Sequence, residues 1–198
     1  MNNFVAFGIR VWLAMATVYV ALDVFMETNK DDILIAETAA PSGASVVDPE
    51  IIAYEESIRH EEQYDQVKCL AMNIYHEARS DSKLGQEAVG FVTMNRVYDD
   101  RYPDTVCDVV YQAHLDSRGF PIRNKCQFSW YCDGKRDEYN DVKTFKAVFE
   151  LSEDIVNRYG TEKDITDGAV MYHASYVNPY WASSYERTSR IESHIFYK

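Results

Sequence analysis

The stretch "CLAMNIYHEARSD", residues 69–81, sets Leu70, Ile74, Glu77 and Ala78 at i, i+4, i+7 and i+8. That spacing is one face of a helix of 3.6 residues per turn. Three of the four positions are apolar and the fourth is a carboxylate. Ahead of it, "DPEIIAYEESIRHEEQYDQV" (48–67) reads as a charged, partly amphipathic spacer helix, with Asp48 as N-cap and Pro49 at N1. After it, "GQEAVGFVTMNRVYDD" predicts a second strong helix with Ala88, Phe91, Val92 and Asn95 on one side. "PDTVCDVVYQ" predicts a short third helix capped by Asp104 or Thr105. "DVKTFKAVFELSEDIVNRYG" predicts a fourth, capped by Asp141 and ended by Gly160. Its apolar stripe is Val142, Phe145, Phe149, Ser152, Val156 and Tyr159.

From Ala113 to Glu138 the periodicity fails, and Gly119, Pro121 and Gly134 mark a long irregular excursion. The C-terminal runs "GAVMYHASYVNPYW" and "RIESHIFYK" are β-branched and aromatic and suit short strands or loops. Together these elements predict a helix-dominated α+β domain over residues 64–198.

The N-terminus has another pattern. "FVAFGIRVWLAMATVYVALDVF" is apolar from Phe4 to Phe25 except for Arg10 and Asp23. Its uninterrupted part, Val11 to Leu22, is shorter than the roughly 20 residues that span a bilayer and suits the apolar region of an export signal. No small-x-small cleavage site follows promptly. Residues 1–26 are therefore expected to be a signal anchor or signal peptide. The uncleaved anchor is favoured, with Arg10 inside and the following acidic stretch on the outer, periplasmic side. Residues 27–63 complete the picture as an acidic tether and spacer helix.

Charge supports that division. The chain carries a net −12, but residues 23–66 hold 12 acidic and 2 basic side chains, whereas residues 67–198 hold 20 and 17. The acidity belongs to the connecting segment. No basic stripe is present, which argues against nucleic acid as a partner. The 46% hydrophobic content suffices for a packed core. Cys69, Cys107, Cys126 and Cys132 fit two disulfides in an exported protein, with three connectivities open. Inert buried thiols are the alternative, and the usual zinc-ligand spacing is lacking.

Among residues able to do chemistry, Glu77 leads. On an apolar face near a helix end it is partly desolvated, which disfavours the charged form and raises its pKa. A carboxylic acid protonated near neutral pH is what glycosidic cleavage needs, because it must protonate the leaving oxygen. The bland alternative pairs it with Arg79 or Arg96, or turns it to water. In "CQFSWYCDG", Gln127, Ser129 and Trp130 combine an amide, a hydroxyl and a flat ring, a set that suits a sugar. Phe128 and Trp130 equally suit plugging the core. "MYHASYVNPYW" adds Tyr172, His173, Tyr176, Tyr180 and Trp181. A zinc amidase assembled from His76, His173 and His194 is a rival, although H-E-x-x-H is absent. A serine nucleophile lacks its G-x-S-x-G elbow.

Taken in order, these stretches resemble the SleB/CwlJ-type cell wall hydrolases. The resemblance runs from Cys69 to Tyr197 and rests on "IYHEAR" (74–79), "GQEAVGFVTMNRV" (85–97), "YPDTVCDVVYQ" (102–112) and "QFSW" (127–130). It closes with Tyr172, His173, Val177, Pro179, Trp181, His194, Phe196 and Tyr197. It implies a lysozyme-like, lytic transglycosylase-like fold and cleavage of the peptidoglycan glycan strand between N-acetylmuramic acid and N-acetylglucosamine, without a cofactor. It also implies Glu77 as the catalytic acid. Gln127, Ser129, Trp130, Tyr172 and His173 are expected to line the glycan groove, and Asn95 either to brace the site or to be a structural amide. Asp81 is the nearest candidate for a second carboxylate.

Three features depart from the family pattern. Ser80-Asp81 follows "EAR" where many relatives have Gly-Glu, and Glu192 stands where a glycine commonly precedes the last histidine motif. The excursion before "QFSW" is longer than in many relatives. A non-catalytic peptidoglycan-binding protein on the same fold is the second reading.

Overall fold

Asp48 accepts a hydrogen bond from the Glu50 N–H at 2.9 Å and, with Pro49 behind it, opens a helix, α1, that runs without a break from Pro49 to Ala78. The expected spacer helix and the Cys69 helix are thus one element of 30 residues. No Gly or Pro interrupts the join at Gln66–Lys68, so helix propagation carries through it. This computed structural model describes residues 48–198; the expected export segment and the tether up to residue 47 lie outside the described residues. No helix among the described residues is long and apolar enough to cross a membrane.

The first four turns of α1 are exposed, and burial sets in at Val67. From there Leu70, Ala71, Ile74 and Ala78 are buried, so the apolar face is a core face. Helix α2 (Lys83–Val97) meets α1 through Val89, Gly90 and Thr93, while Ala88, Phe91 and Val92, on the side the periodicity predicts, are also buried, Ala88 and Val92 against Ala169 and Phe196. Gly90 permits the close approach. A Cβ there would stand 2.6 Å from Ile155 Cδ1 and 3.2 Å from Ile74 Cδ1. Thr105 caps the short α3 (Val106–Val110) by accepting from Asp108 N–H, which resolves the choice between Asp104 and Thr105.

Helix α4 (Val142–Arg158) is capped by Asp141 and followed by Gly160 at φ 81°, where glycine carries no steric penalty. Its buried face is Phe145, Val148, Leu151, Ser152 and Ile155. The expected stripe lay rotated by about one residue: Val142 is 68% exposed, and Phe149 and Val156 only flank the core. Two overlapping 3.6-period stripes exist in this helix, and the one holding Ile155 beside Gly90 wins because it allows closer packing.

The excursion holds more order than its broken periodicity predicts. Strands β1 (Ala113–Leu115) and β2 (Pro121–Cys126) form an antiparallel hairpin with an irregular register, and a 3₁₀ turn follows at Ser129–Cys132. The C-terminal part forms a three-stranded antiparallel sheet in the order β3 (Met171–Ala174), β5 (His194–Tyr197), β4 (Arg187–Ile191). The cysteines pair Cys69–Cys107 and Cys126–Cys132, so α1 is tied to α3 and the hairpin to the 3₁₀ turn. The result is a helix-rich α+β domain.

Candidate active site

Glu77 stands on the last turn of α1, half-buried, with Leu70 and Ile74 fully buried on the turns before it. Strand β3 supplies its partner across the site. Tyr172 Oη donates to Glu77 Oε2 at 3.0 Å. Glu77 Oε1 has no hydrogen-bond partner among the described residues, which leaves one carboxyl oxygen for a ligand. Tyr172 is placed by sheet register. It lies opposite Phe196 on β5, packs on that ring, and meets His194 edge-on at 5.4 Å.

Burial pushes the Glu77 carboxyl above its ordinary value of 4.5; the Tyr172 hydroxyl and the positive charge of Arg96 pull the other way without cancelling it. Tyr172 is itself driven well above an ordinary phenol, first by burial and then by the Glu77 charge. It therefore remains a protonated donor throughout the working range.

Arg96, buried on α2, is the cation behind this pair. Its Nε donates to Val170 O at 2.7 Å, and its guanidinium lies over the rings of Phe128 and Tyr102. Burial lowers its pKa, opposed by the tyrosines and Glu77, and a guanidinium stays charged there. With the Gln127 amide oriented so that its oxygen faces the guanidinium, that oxygen accepts from Arg96 Nη2 at 3.1 Å and Nη1 at 3.2 Å. Glu77 makes no ion pair within 4 Å to Arg79 or Arg96. No such ion pair accounts for its position.

The other expected groove residues divide. Tyr172 and, through Arg96, Gln127 come together with Glu77. Ser129 is exposed and has no side-chain hydrogen bond among the described residues. Trp130 is a correction: at 7% exposure it sits in the core rather than offering a face to a sugar. Its ring stacks on His76 at 4.4 Å and its Nε1 donates to Asn73 Oδ1 at 3.0 Å.

His173 points to the opposite face of β3 from Tyr172, as alternation requires, with Nε2 2.9 Å from Tyr197 Oη. Asn95 is engaged away from Glu77. Its Nδ2 donates to Asp164 Oδ2 at 2.8 Å and Ala169 O at 2.9 Å, and Oδ1 accepts from Tyr159. It fastens the loop that leads into β3. Asp81 turns to His194, with Oδ2 3.3 Å from Nδ1. His76, His173 and His194 thus have three separate neighbourhoods, and no group of three His, Cys, Asp or Glu side chains able to hold a metal occurs among the described residues.

The residue that the sequence reading passed over is Asn73, fully buried one turn before Glu77. It links Trp130 to Thr93, to which its Nδ2 donates at 3.0 Å. The i, i+4 spacing from Asn73 to Glu77 was the available signal.

The model of the family described as Cell Wall Hydrolase matches residues 80–197, more than half of the chain, and the chain belongs to that family. The match begins just after Glu77. No curated protein matches the chain. Among solved structures, the chain is similar to the catalytic domain of the germination-specific lytic transglycosylase SleB from Bacillus anthracis. That match has 22% identity and a TM-score of 0.52 over 80% of this chain and 100% of that one. It is also similar to the catalytic domain of the Bacillus cereus SleB protein, with 23% identity and a TM-score of 0.47 over 83% of this chain and 99% of that one. The first of these is a likeness of fold.

Proposed function

We propose that this member of the cell wall hydrolase family cleaves the peptidoglycan glycan strand as a lytic transglycosylase, with Glu77 as its single acid and base. The observation that carries the reading is the half-buried Glu77 carboxyl, held above its ordinary pKa with one oxygen bound by Tyr172 and the other free.

Protonated Glu77 donates to the oxygen linking C1 of N-acetylmuramic acid to the next N-acetylglucosamine, and the C1–O bond breaks as that sugar leaves. Positive charge develops at C1 and the ring oxygen. The Glu77 carboxylate then takes the proton of the same muramic residue's C6 hydroxyl, whose oxygen closes on C1. The product is a 1,6-anhydro end, Glu77 is protonated again, and no water is consumed. Tyr172 stabilises the carboxylate between the two proton transfers, because a neutral donor to an ionised acceptor makes a strong hydrogen bond. A hydrolytic route needs a second carboxylate at a defined separation; Asp81, the nearest in sequence, lies 3.3 Å from His194 Nδ1.

Gln127, hydrogen-bonded to Arg96, and the exposed Ser129 serve the glycan hydroxyls. The apolar segment at 1–26 supports export and retention at the membrane, with the enzyme acting on the wall outside the cytoplasm. The test is to incubate the full chain with purified sacculi and identify the released muropeptides by mass spectrometry, with and without EDTA. Anhydro-muramic ends unaffected by EDTA support the reading. Reducing ends, free peptide stems or loss of activity in EDTA contradict it.

A further inference from the structure

The β1–β2 hairpin is positively charged on an otherwise acidic chain, and it borders a cavity whose lining, Gln127 aside, the glycan chemistry does not use. Within residues 113–126 stand Arg118, Arg123 and Lys125 against one acid, Asp116. Arg118 is spent on Asp116, at 3.0 Å. Lys125 and His114 have no ion-pair partner among the described residues. Both are exposed, and both line a cavity of about 560 Å³ together with Gln112, Ala113, Cys126 and Gln127. That size is ordinary for a ligand site.

The hairpin is built to aim them. Ala113 pairs with Cys126 and Leu115 with Pro121, so the strands are out of step between those pairs. Asn124, at φ 59°, takes the left-handed conformation inside that bulge. Bulges of this kind redirect the side chains beside them. The amides complete the lining. The Gln112 side-chain oxygen is shielded from solvent without a hydrogen-bond partner, and its backbone carbonyl accepts from Gln127 N–H at 2.8 Å. Gln127 lies on the cavity and on Arg96 at once, and Arg96 is the cation next to Glu77.

We infer that this cavity binds the acidic peptide stem of the peptidoglycan strand, with Lys125 and His114 facing its carboxylates. The inference rests on the substrate reading above and extends it from the sugar to the peptide. N-acetylated sugars carry amides and hydroxyls but no charge, so the glycan offers the Lys125 ammonium no opposite charge. The stem carries carboxylates and leaves the muramic residue next to the bond that breaks. An extended four-residue stem reaches about 13 Å.

Two measurements on the full chain test this. The first is calorimetric binding of a free tetrapeptide stem and of the same peptide with its carboxylates amidated. The stem should bind several-fold more tightly than its amidated form and lose that preference in the Lys125→Ala/His114→Ala double variant. Equal binding of the two peptides, or an unaltered preference in the variant, would overturn the inference. The second compares turnover of intact strands with strands stripped of stems by an amidase. The ratio of kcat/KM on intact to stripped strands should fall roughly three- to fivefold in the double variant; an unchanged ratio contradicts the inference. Peptide binding is read without turnover. A wild-type chain that binds the stem but releases no glycan would sink the transglycosylase reading while supporting this one.

Discussion

Tyr172 on β3 donates its phenolic proton to Glu77 on α1 across 95 positions of sequence, at 3.0 Å. A helix end and a sheet strand thus share the one carboxyl that the proposed chemistry needs. The bond favours the ionised form of Glu77 and so opposes the burial that raises its pKa. Removing the hydroxyl with Tyr172→Phe should raise the Glu77 pKa further. The alkaline limb of the kcat profile, set by loss of the Glu77 proton, should move to higher pH, and the maximal rate should fall about tenfold for want of a donor to the carboxylate. A pH–rate profile of the variant checks both, and a limb that stays or moves down contradicts the assignment.

Burial of an ionised Glu77 should also weaken the fold at neutral pH. Its folded pKa is raised, so the native state holds the proton more tightly than the unfolded one. Stability contributed by this group is then greatest below the unfolded value of 4.5 and is lost as pH rises through the folded value. Glu77→Gln keeps an acceptor for Tyr172 and cannot ionise. It should melt above the wild type at pH 7 and match it near pH 4, as read by thermal denaturation at both.

Asn73 holds Trp130 and Thr93 together inside the core. Asn73→Ala leaves a buried indole N–H unpaired and opens a cavity one turn from Glu77, at a cost of about 2–4 kcal/mol. Urea unfolding should show a midpoint loss of that order.

The two disulfides should differ in what they support. Cys69–Cys107 closes a loop with sequence separation 38 and Cys126–Cys132 one with separation 6. Loop-closure entropy assigns them about 4 and about 2 kcal/mol respectively. Cys69→Ala/Cys107→Ala should lower Tm more. Cys126→Ala/Cys132→Ala should lower activity more than its smaller Tm loss explains, because that bridge brackets Gln127, which braces Arg96. Tm and specific activity measured on both variants separate the two effects.

What the sequence showed followed from how local the cause was. The core face of α1, the inward side of α2 and the caps at Asp48, Thr105 and Asp141 were legible because periodicity and capping act within one or two turns. The rotated face of α4 was not, since it depends on Gly90 of another helix. Trp130 was ambiguous for the same reason: only Asn73 and His76, more than fifty residues earlier, decide that its ring is enclosed. The join of the first two helices needed only the absence of a breaker, and was readable in principle. Glu192, where the family resemblance leads one to expect glycine, adopts φ 49°, the left-handed region in which glycine carries no penalty. There it accepts from Ser82 N–H at 3.3 Å and turns the chain beside Asp81. At the site, Glu77 was visible as a carboxylate on an apolar face and Tyr172 as a groove residue, but the bond between them was not, because it depends on where β3 lies against the end of α1.

The most direct measurement is the rate of muropeptide release from purified sacculi by wild type and Glu77→Gln, with folding of the variant verified by its melting curve. The account predicts release of anhydro-muramic products by the wild type and a loss of at least about a hundredfold in the variant, the low end of what a positioned acid contributes. Equal release by a folded Glu77→Gln chain would contradict it.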